Sequence, residues 1–230
     1  MRKQDRGQFM KKCILLLMIF TVTVSIQAQR RADLPFREDG KWYYNLENKK
    51  YGPFDWVSDI MKKDDKWLFI SETKDGAGKS KYFAYTNAGK KDVFGPYDYI
   101  NYRIAGFSPG GVHFYFMGFK GDKETSNQEY FFIINGKEHG PYTSLTRRVH
   151  FFSDDEIWTY QAVRDGKFRG RWHSGGKTRL YVMGKEYDIL TKPAGFEVES
   201  VTRVAKNRYE LKVAVDVGSR RKIKTIYYEK

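Results

Sequence analysis

Cysteine is all but missing from this chain of 230 residues: Cys13 is the only one, and it opens the one long continuously apolar run, residues 13–26. Residues 1–12 carry Arg2, Lys3, Arg6, Lys11 and Lys12 against Asp5 alone. A basic segment followed by a short apolar one has the makeup of a secretory signal peptide. The run is 14 residues long, short of the roughly 20 that a helix needs to cross a bilayer. Residues 1–29 are therefore expected to be a leader, cleaved after Ala28 or Gln29, with an uncleaved membrane anchor as the alternative. Cleavage would remove Cys13 and with it every disulfide, thiolate metal site and cysteine nucleophile. An exported domain without disulfides must be held by its core, which suits a periplasm or outer cell surface.

Histidine is scarce as well. His113, His139, His150 and His173 share no metal-ligand spacing, and for His113, in an expected strand with aromatic neighbours, packing or exposure is the expected fate. The chain also lacks a nucleophile elbow, a zinc signature and a phosphate-cradling loop that opens a helix. No catalytic residue, cofactor or metal is expected. A calcium site at Asp154-Asp155-Glu156 is the weak exception, since those residues also fall where a turn is due.

Aromatic residues, in contrast, are abundant: 17 tyrosines, 17 phenylalanines and 5 tryptophans. That much buriable surface excludes a disordered chain. Lys and Arg outnumber Asp and Glu by 42 to 28, a net charge of +14. The leader holds five of the positive charges and one negative, so the processed chain stays basic at +10. Export argues against nucleic acid as the partner. Anionic glycans, lipid headgroups and acidic protein surfaces are the available targets.

Proline is limited to six residues, and three of them mark a repeat. Tyr51-Gly52-Pro53-Phe54-Asp55 returns as Phe94-Gly95-Pro96-Tyr97-Asp98 and as His139-Gly140-Pro141-Tyr142-Thr143. A worn copy, Lys185-Glu186-Tyr187-Asp188, has lost the Gly-Pro. With the aromatic as marker, the positions 54, 97, 142 and 187 are 43, 45 and 45 residues apart. An aromatic run precedes each marker, as in Tyr130-Phe131-Phe132-Ile133-Ile134. Asn135-Gly136 between two apolar runs predicts a hairpin, because both residues accept the positive φ of a type I′ turn. Further strands are expected over residues 66–70, 112–116, 157–160 and 209–213, after turns such as Phe107-Ser108-Pro109-Gly110-Gly111. A turn that starts a strand is needed in every unit, whereas a catalytic residue is needed once. The Gly-Pro-aromatic-Asp element is therefore read as framework, with Asp55 and Asp98 capping amides of the turn.

Phe107-Ser108-Pro109-Gly110-Gly111 followed by Asn135-Gly136-Lys137 and Gly140-Pro141-Tyr142 resembles the repeats of WD-like β-propellers, of the kind found in the Tol-system propeller and in the N-terminal propellers of dipeptidyl peptidases. Gly110 stands where that group commonly has Asp. The resemblance implies an all-β fold of four-stranded blades and identifies a scaffold rather than an activity.

We expect a single domain over residues 30–230, with units at about 58–100, 101–145 and 146–190 and partial units at about 35–57 and 191–230. Pairing of the N- and C-terminal strands would complete a fourth blade and close the ring; an open stack or a distorted barrel is the alternative. The candidate ligand-binding residues are those that break the repeat: Arg169, Arg171, Trp172, His173, Lys177 and Arg179 around a glycine pair, with Arg220 and Arg221 in the matching part of the next unit. Arginines beside an indole can hold an anion, a sugar or a partner's carboxylates. The expected role is binding or scaffolding in the cell envelope for a protein or an anionic polymer. A glycan hydrolase or lyase with its site at a central opening, and a structural part of a surface complex, are the alternatives.

Overall fold

The aromatic runs and Gly-Pro markers form antiparallel strands in the computed structural model, which describes residues 34–121, 128–152, 157–164, 167–169, 172–174, 176–188, 196–217 and 220–230. The protein is all-β: one 3₁₀ turn, Tyr102–Ile104, is the sole helical element among the described residues. The chain divides into two compact units, one ending at Ile60 and the other Met61–Lys230.

The first unit holds β1 (Phe36–Glu38), β2 (Lys41–Leu46) and β3 (Lys49–Phe54), paired in that order, and then β4 (Trp56–Val57). Tyr44 in β2 is fully buried and donates to the Ser58 carbonyl at 2.7 Å. Burial and the nearby Asp59 push its phenol well above the usual range. Glu47 and Asn48 make the β2–β3 turn at φ 52° and 62°, the left-handed geometry that a two-residue hairpin demands.

In the second unit, β5 (Met61–Lys63), β6 (Lys66–Lys74), β7 (Ser80–Thr86) and β8 (Val93–Tyr97) form a meander. The next sheet contains β9 (Tyr99–Ile100), β10 (Gly106–Phe107), β11 (Phe114–Lys120), β12 (Glu129–Ile134) and β13 (Lys137–Tyr142), with both β9 and β10 on β11. A third contains β14 (Ser144–Phe152) and β15 (Ile157–Arg164). The chain then makes a separate hairpin of β16 (Lys167–Arg169) and β17 (Trp172–Ser174), and the third sheet resumes with β18 (Lys177–Val182) and β19 (Lys185–Tyr187). The last sheet is β20 (Phe196–Ala205), β21 (Arg208–Val217) and β22 (Arg220–Glu229). None of these sheets closes into a barrel.

Strand alternation gives each central strand two usable faces. On β11, Phe116 meets Tyr97 from the preceding sheet edge to face, with ring centroids 5.8 Å apart. Met117, on the opposite face, joins Phe132 and Ile134 in a core with Trp158, Tyr160 and Tyr181 of the next sheet. Ile157, Leu180 and Val182 pack in turn with Tyr209, Leu211 and Val213 of the last. The four sheets of this unit are thus stacked in chain order through aromatic and aliphatic layers.

The registers show how closely the units repeat. Tyr44 faces Tyr51, Ala84 faces Phe94, Phe132 faces His139 and Leu180 faces Tyr187. Two residues earlier on the first of these strands, a register shift falls at Trp42/Tyr44, Tyr82/Ala84 and Tyr130/Phe132. Opposite each shift is a Gly-Pro with a cis peptide bond, and Gly52, Gly95 and Gly140 have φ of 131°, 136° and 147°. Only glycine adopts that backbone readily, and there is no room for a side chain: a Cβ on Gly95 would lie 2.8 Å from the Tyr82 carbonyl oxygen, and one on Gly140 2.7 Å from that of Tyr130. The fourth copy needs a correction. By register, Tyr187 corresponds to Tyr51, Phe94 and His139, so the marker position lies three residues beyond it, at Leu190, outside the described residues. With the Gly-Pro gone, the Tyr-Asp pair at 187–188 imitates the marker in sequence alone.

Asn135 and Gly136 take φ of 51° and 79°, the predicted hairpin geometry. The turn after Phe107 closes through Gly111 N–H to the Ser108 carbonyl at 2.9 Å. The strand expected at residues 112–116 begins two residues later and runs to Lys120, because His113 is held in the turn by its N–H on the Ser108 hydroxyl. The turn expected at Asp154-Asp155 lies outside the described residues.

Candidate functional site

Two of the places in the second unit where the chain leaves one sheet and starts the next lie within the described residues, and both are built alike. Asp98 N–H donates to the Phe119 carbonyl and Thr143 N–H to the Val163 carbonyl, each at 2.9 Å. The marker just before, Tyr97 or Tyr142, is buried against the central strand of the sheet being entered. Tyr97 lies over Gly118, where a Cβ would come within 2.6 Å of its ring. The position matching Gly118 in the next sheet is Ala162, buried in the cluster that holds Tyr142. Lys120 stands over the Tyr97 ring at 5.3 Å and its counterpart Arg164 over the Tyr142 ring at 5.8 Å. Beneath the two-residue turns the match continues: a Cβ on Gly136 would strike Phe94, and one on Gly184 would strike His139.

Charged groups at the junctions are paired. Lys81 reaches Asp98 at 2.6 Å, and Lys120 reaches Glu138 at 3.1 Å. Burial alone would raise the Asp98 carboxyl, but Lys81 and the Gly121 N–H hold it below its ordinary value. The amide that Asp98 accepts from is Gly121, just past the end of β11 in the sheet being entered, rather than one in its own turn as the sequence suggested. The Tyr97 hydroxyl donates to Glu138 at 2.5 Å, whereas the Tyr142 hydroxyl shares its hydrogen bond with Tyr160 at 2.6 Å. His139 is enclosed by Trp158, 5.1 Å between ring centroids. Burial and then Lys137 push its imidazole down to about 4, so it is neutral at pH 7.

The residues singled out from sequence fall into distinct settings. Arg179 binds Glu186 at 2.6 Å, and Arg164 meets the same carboxylate at 3.3 Å. Arg221 binds Glu199 at 2.8 Å, with Glu197 at 3.6 Å. Lys177 is exposed at the start of β18, at the position where Lys41 and Lys81 stand in their units and pair with Asp55 and Asp98. Arg220 opens β22 opposite Val217. Arg169 and Trp172 are backbone partners in the β16–β17 hairpin, and His173 faces Phe168. Arg171 lies outside the described residues, as does the calcium candidate at 154–156. Among the described residues no three His, Cys, Asp or Glu side chains gather as a metal-binding group.

One feature breaks the repeat where a ligand could reach it. The β2–β3, β12–β13 and β18–β19 turns span two residues each: Glu47-Asn48, Asn135-Gly136 and Met183-Gly184. The β7–β8 connection instead carries residues 87–91 between Thr86 and Asp92, whose backbones close it at 3.0 Å. Asn87 still does what Asn135 does: its side chain accepts from the Trp67 N–H, as that of Asn135 accepts from Phe114. The remainder is extra. It forms one wall of an open cleft of about 690 Å³ whose other side is the β12–β13 turn. Lys90, Lys91 and Lys137 line the cleft together with Val93, Phe94 and Val112. Val93 and Val112 are 40% and 59% exposed, large values for aliphatic side chains. The three lysines make no ion pair or side-chain hydrogen bond among the described residues. Glu138, the carboxylate in the lining, is already engaged by Lys120 and Tyr97. Sequence reading passed over this loop because Asn, Gly and Lys between two strands read as an ordinary connection; its length against the other units was the available signal.

No protein-family model, curated protein or solved structure matches the chain.

Proposed function

We propose that the protein is an exported, non-catalytic binding module of the cell envelope, in which repeated sheets supply a rigid frame and the departures from the repeat supply the contact surface. The observation that carries this reading is the contrast in charge. Lys41, Lys81, Lys120, Arg164, Arg179 and Arg221 each face a carboxylate, whereas Lys90, Lys91 and Lys137 pair with none among the described residues and line a cleft whose carboxylate, Glu138, is held by Lys120 and Tyr97. Unneutralised cations around a concavity favour an anionic partner, a protein or a polymer.

The frame itself is proposed as a small β-propeller of four blades, with the strands after the leader and those at the C-terminus pairing to complete the last. Meander sheets stacked face to face in chain order support it, as does the repeat of junction geometry. Removing residues 30–54 would then release the β22 amides to rapid hydrogen exchange. Unchanged protection of β22 would favour an open stack instead.

The functional reading is tested by immobilising the processed chain, residues 30–230, and passing over it protein and polysaccharide fractions of an envelope extract at low and at physiological salt. Retention of one fraction that weakens with salt is expected. Retention of neither, or turnover of a retained component, would overturn it.

A further inference from the structure

We propose that the cleft between the β7–β8 loop and the β12–β13 turn binds an extended acidic peptide segment of a partner protein, one that carries aliphatic side chains among its carboxylates. The proposal deepens the reading of the chain as a binding module and rests on it, but the assay below addresses the cleft alone.

The chemistry follows from what lines the cavity. Lys90, Lys91 and Lys137 approach it from two sheets, with the Lys90-Lys91 pair on the loop and Lys137 just after the turn. Lysine is a flexible point charge, suited to carboxylates spaced along a chain rather than to one rigid bidentate group. Apolar groups line it as well: Phe94 is half-buried against Phe114, 5.5 Å between ring centroids, and the side chains of Val93 and Val112 are exposed beside it. A polysaccharide offers hydroxyls to such a surface, and the valines could satisfy none of them. An aliphatic side chain between two carboxylates matches both parts. Glu138 does not oppose a negative ligand, because Lys120 at 3.1 Å and the Tyr97 hydroxyl at 2.5 Å already occupy it.

The loop is also held ready. Asn87 is tied to the Trp67 N–H at 2.8 Å and to the Asp65 carbonyl at 2.9 Å, and Thr86 takes the Ala88 N–H on its hydroxyl at 3.0 Å. Binding therefore does not have to order the base of the loop, which keeps its entropic cost low. Across the cleft, Gly136 is the only residue type that fits, since a Cβ there would stand 2.5 Å from Phe94. That wall is fixed as firmly as the first.

The test uses a labelled probe of about eight residues with alternating glutamate and leucine, a length and pattern typical of extended peptide recognition, titrated by fluorescence anisotropy into residues 30–230. Three variants accompany the wild type. In the first, residues 87–91 are replaced by an Asn-Gly pair like the one that joins β12 and β13, which removes Lys90 and Lys91 but keeps the asparagine that holds the turn. The second is Lys137→Glu and the third Val112→Asp, both at exposed side chains, with circular dichroism and thermal melting confirming the fold. Each should weaken the probe about tenfold or more, whereas Arg221→Ala should leave it unchanged. No saturable binding by the wild type, or equal binding by the loop replacement, would overturn the proposal even if the envelope fractions are retained. Stronger, lysine-dependent binding of a sulfated polysaccharide in the same assay would overturn the choice of a peptide.

Discussion

The junction at Tyr97 and the junction at Tyr142 are one design carried out with different side chains. In both, a buried tyrosine follows a cis Gly-Pro, the next N–H docks onto the following sheet at 2.9 Å, and a cation covers the ring. At the first, Gly118 lies beneath the ring and Glu138 takes the hydroxyl. At the second, Ala162 and Tyr160 serve. What stays constant is backbone geometry and the volume that must be filled; what varies is how each polar group is satisfied. The open cleft belongs to the first junction, where the loop is longer and Phe94 takes the position that His139 has in the second.

Removing the shared anchor should have the largest effect. Tyr97→Ala and Tyr142→Ala should each cost about 3–5 kcal/mol in urea unfolding, the range for a large buried ring. A loss at only one of the two would break the equivalence. Next comes the residue beneath the ring. Gly118→Ala places a Cβ 2.6 Å from Tyr97 and should destabilise by about 1–3 kcal/mol. Ala162→Gly removes a methyl group and loosens the strand for roughly 1 kcal/mol.

A pH titration separates the junctions further. The unfolded imidazole takes its proton near pH 6.5, but the folded His139 resists until about pH 4. The unfolded chain therefore binds more protons in that window, and stability should fall as pH drops from about 6.5 to 4, then level off for this group. Urea midpoints across this range should show the decline, and His139→Phe, the residue found in the first junction, should flatten it. The smallest effect is a gain. Ser71, at the position of Gly118 and Ala162, has a buried hydroxyl with no partner among the described residues, so Ser71→Ala should stabilise by up to about 1 kcal/mol.

Sequence made the frame readable because its constraints are local. Gly-Pro needs one backbone conformation and recurs at a countable spacing, and Asn135-Gly136 needs another that names its hairpin directly. The fourth marker was misplaced because Tyr187-Asp188 keeps the side chains of the motif without its backbone, and only strand register reveals the three-residue offset. Arg179 and Arg221 look like a free basic surface in sequence because their carboxylates lie on other strands of the same sheets, Glu186 on the adjacent β19 and Glu199 on β20, one strand beyond β21. Lys90 and Lys91 drew no attention for the converse reason. Nothing along the chain says that a loop of this length comes to face Lys137 and two exposed valines.

The equivalence of the two junctions can be measured most directly by native-state hydrogen exchange at Asp98 and Thr143, whose N–H groups carry the chain from one sheet into the next. The account predicts strong protection at both, within about tenfold of each other. Exchange at either amide as fast as in an unstructured peptide would contradict it.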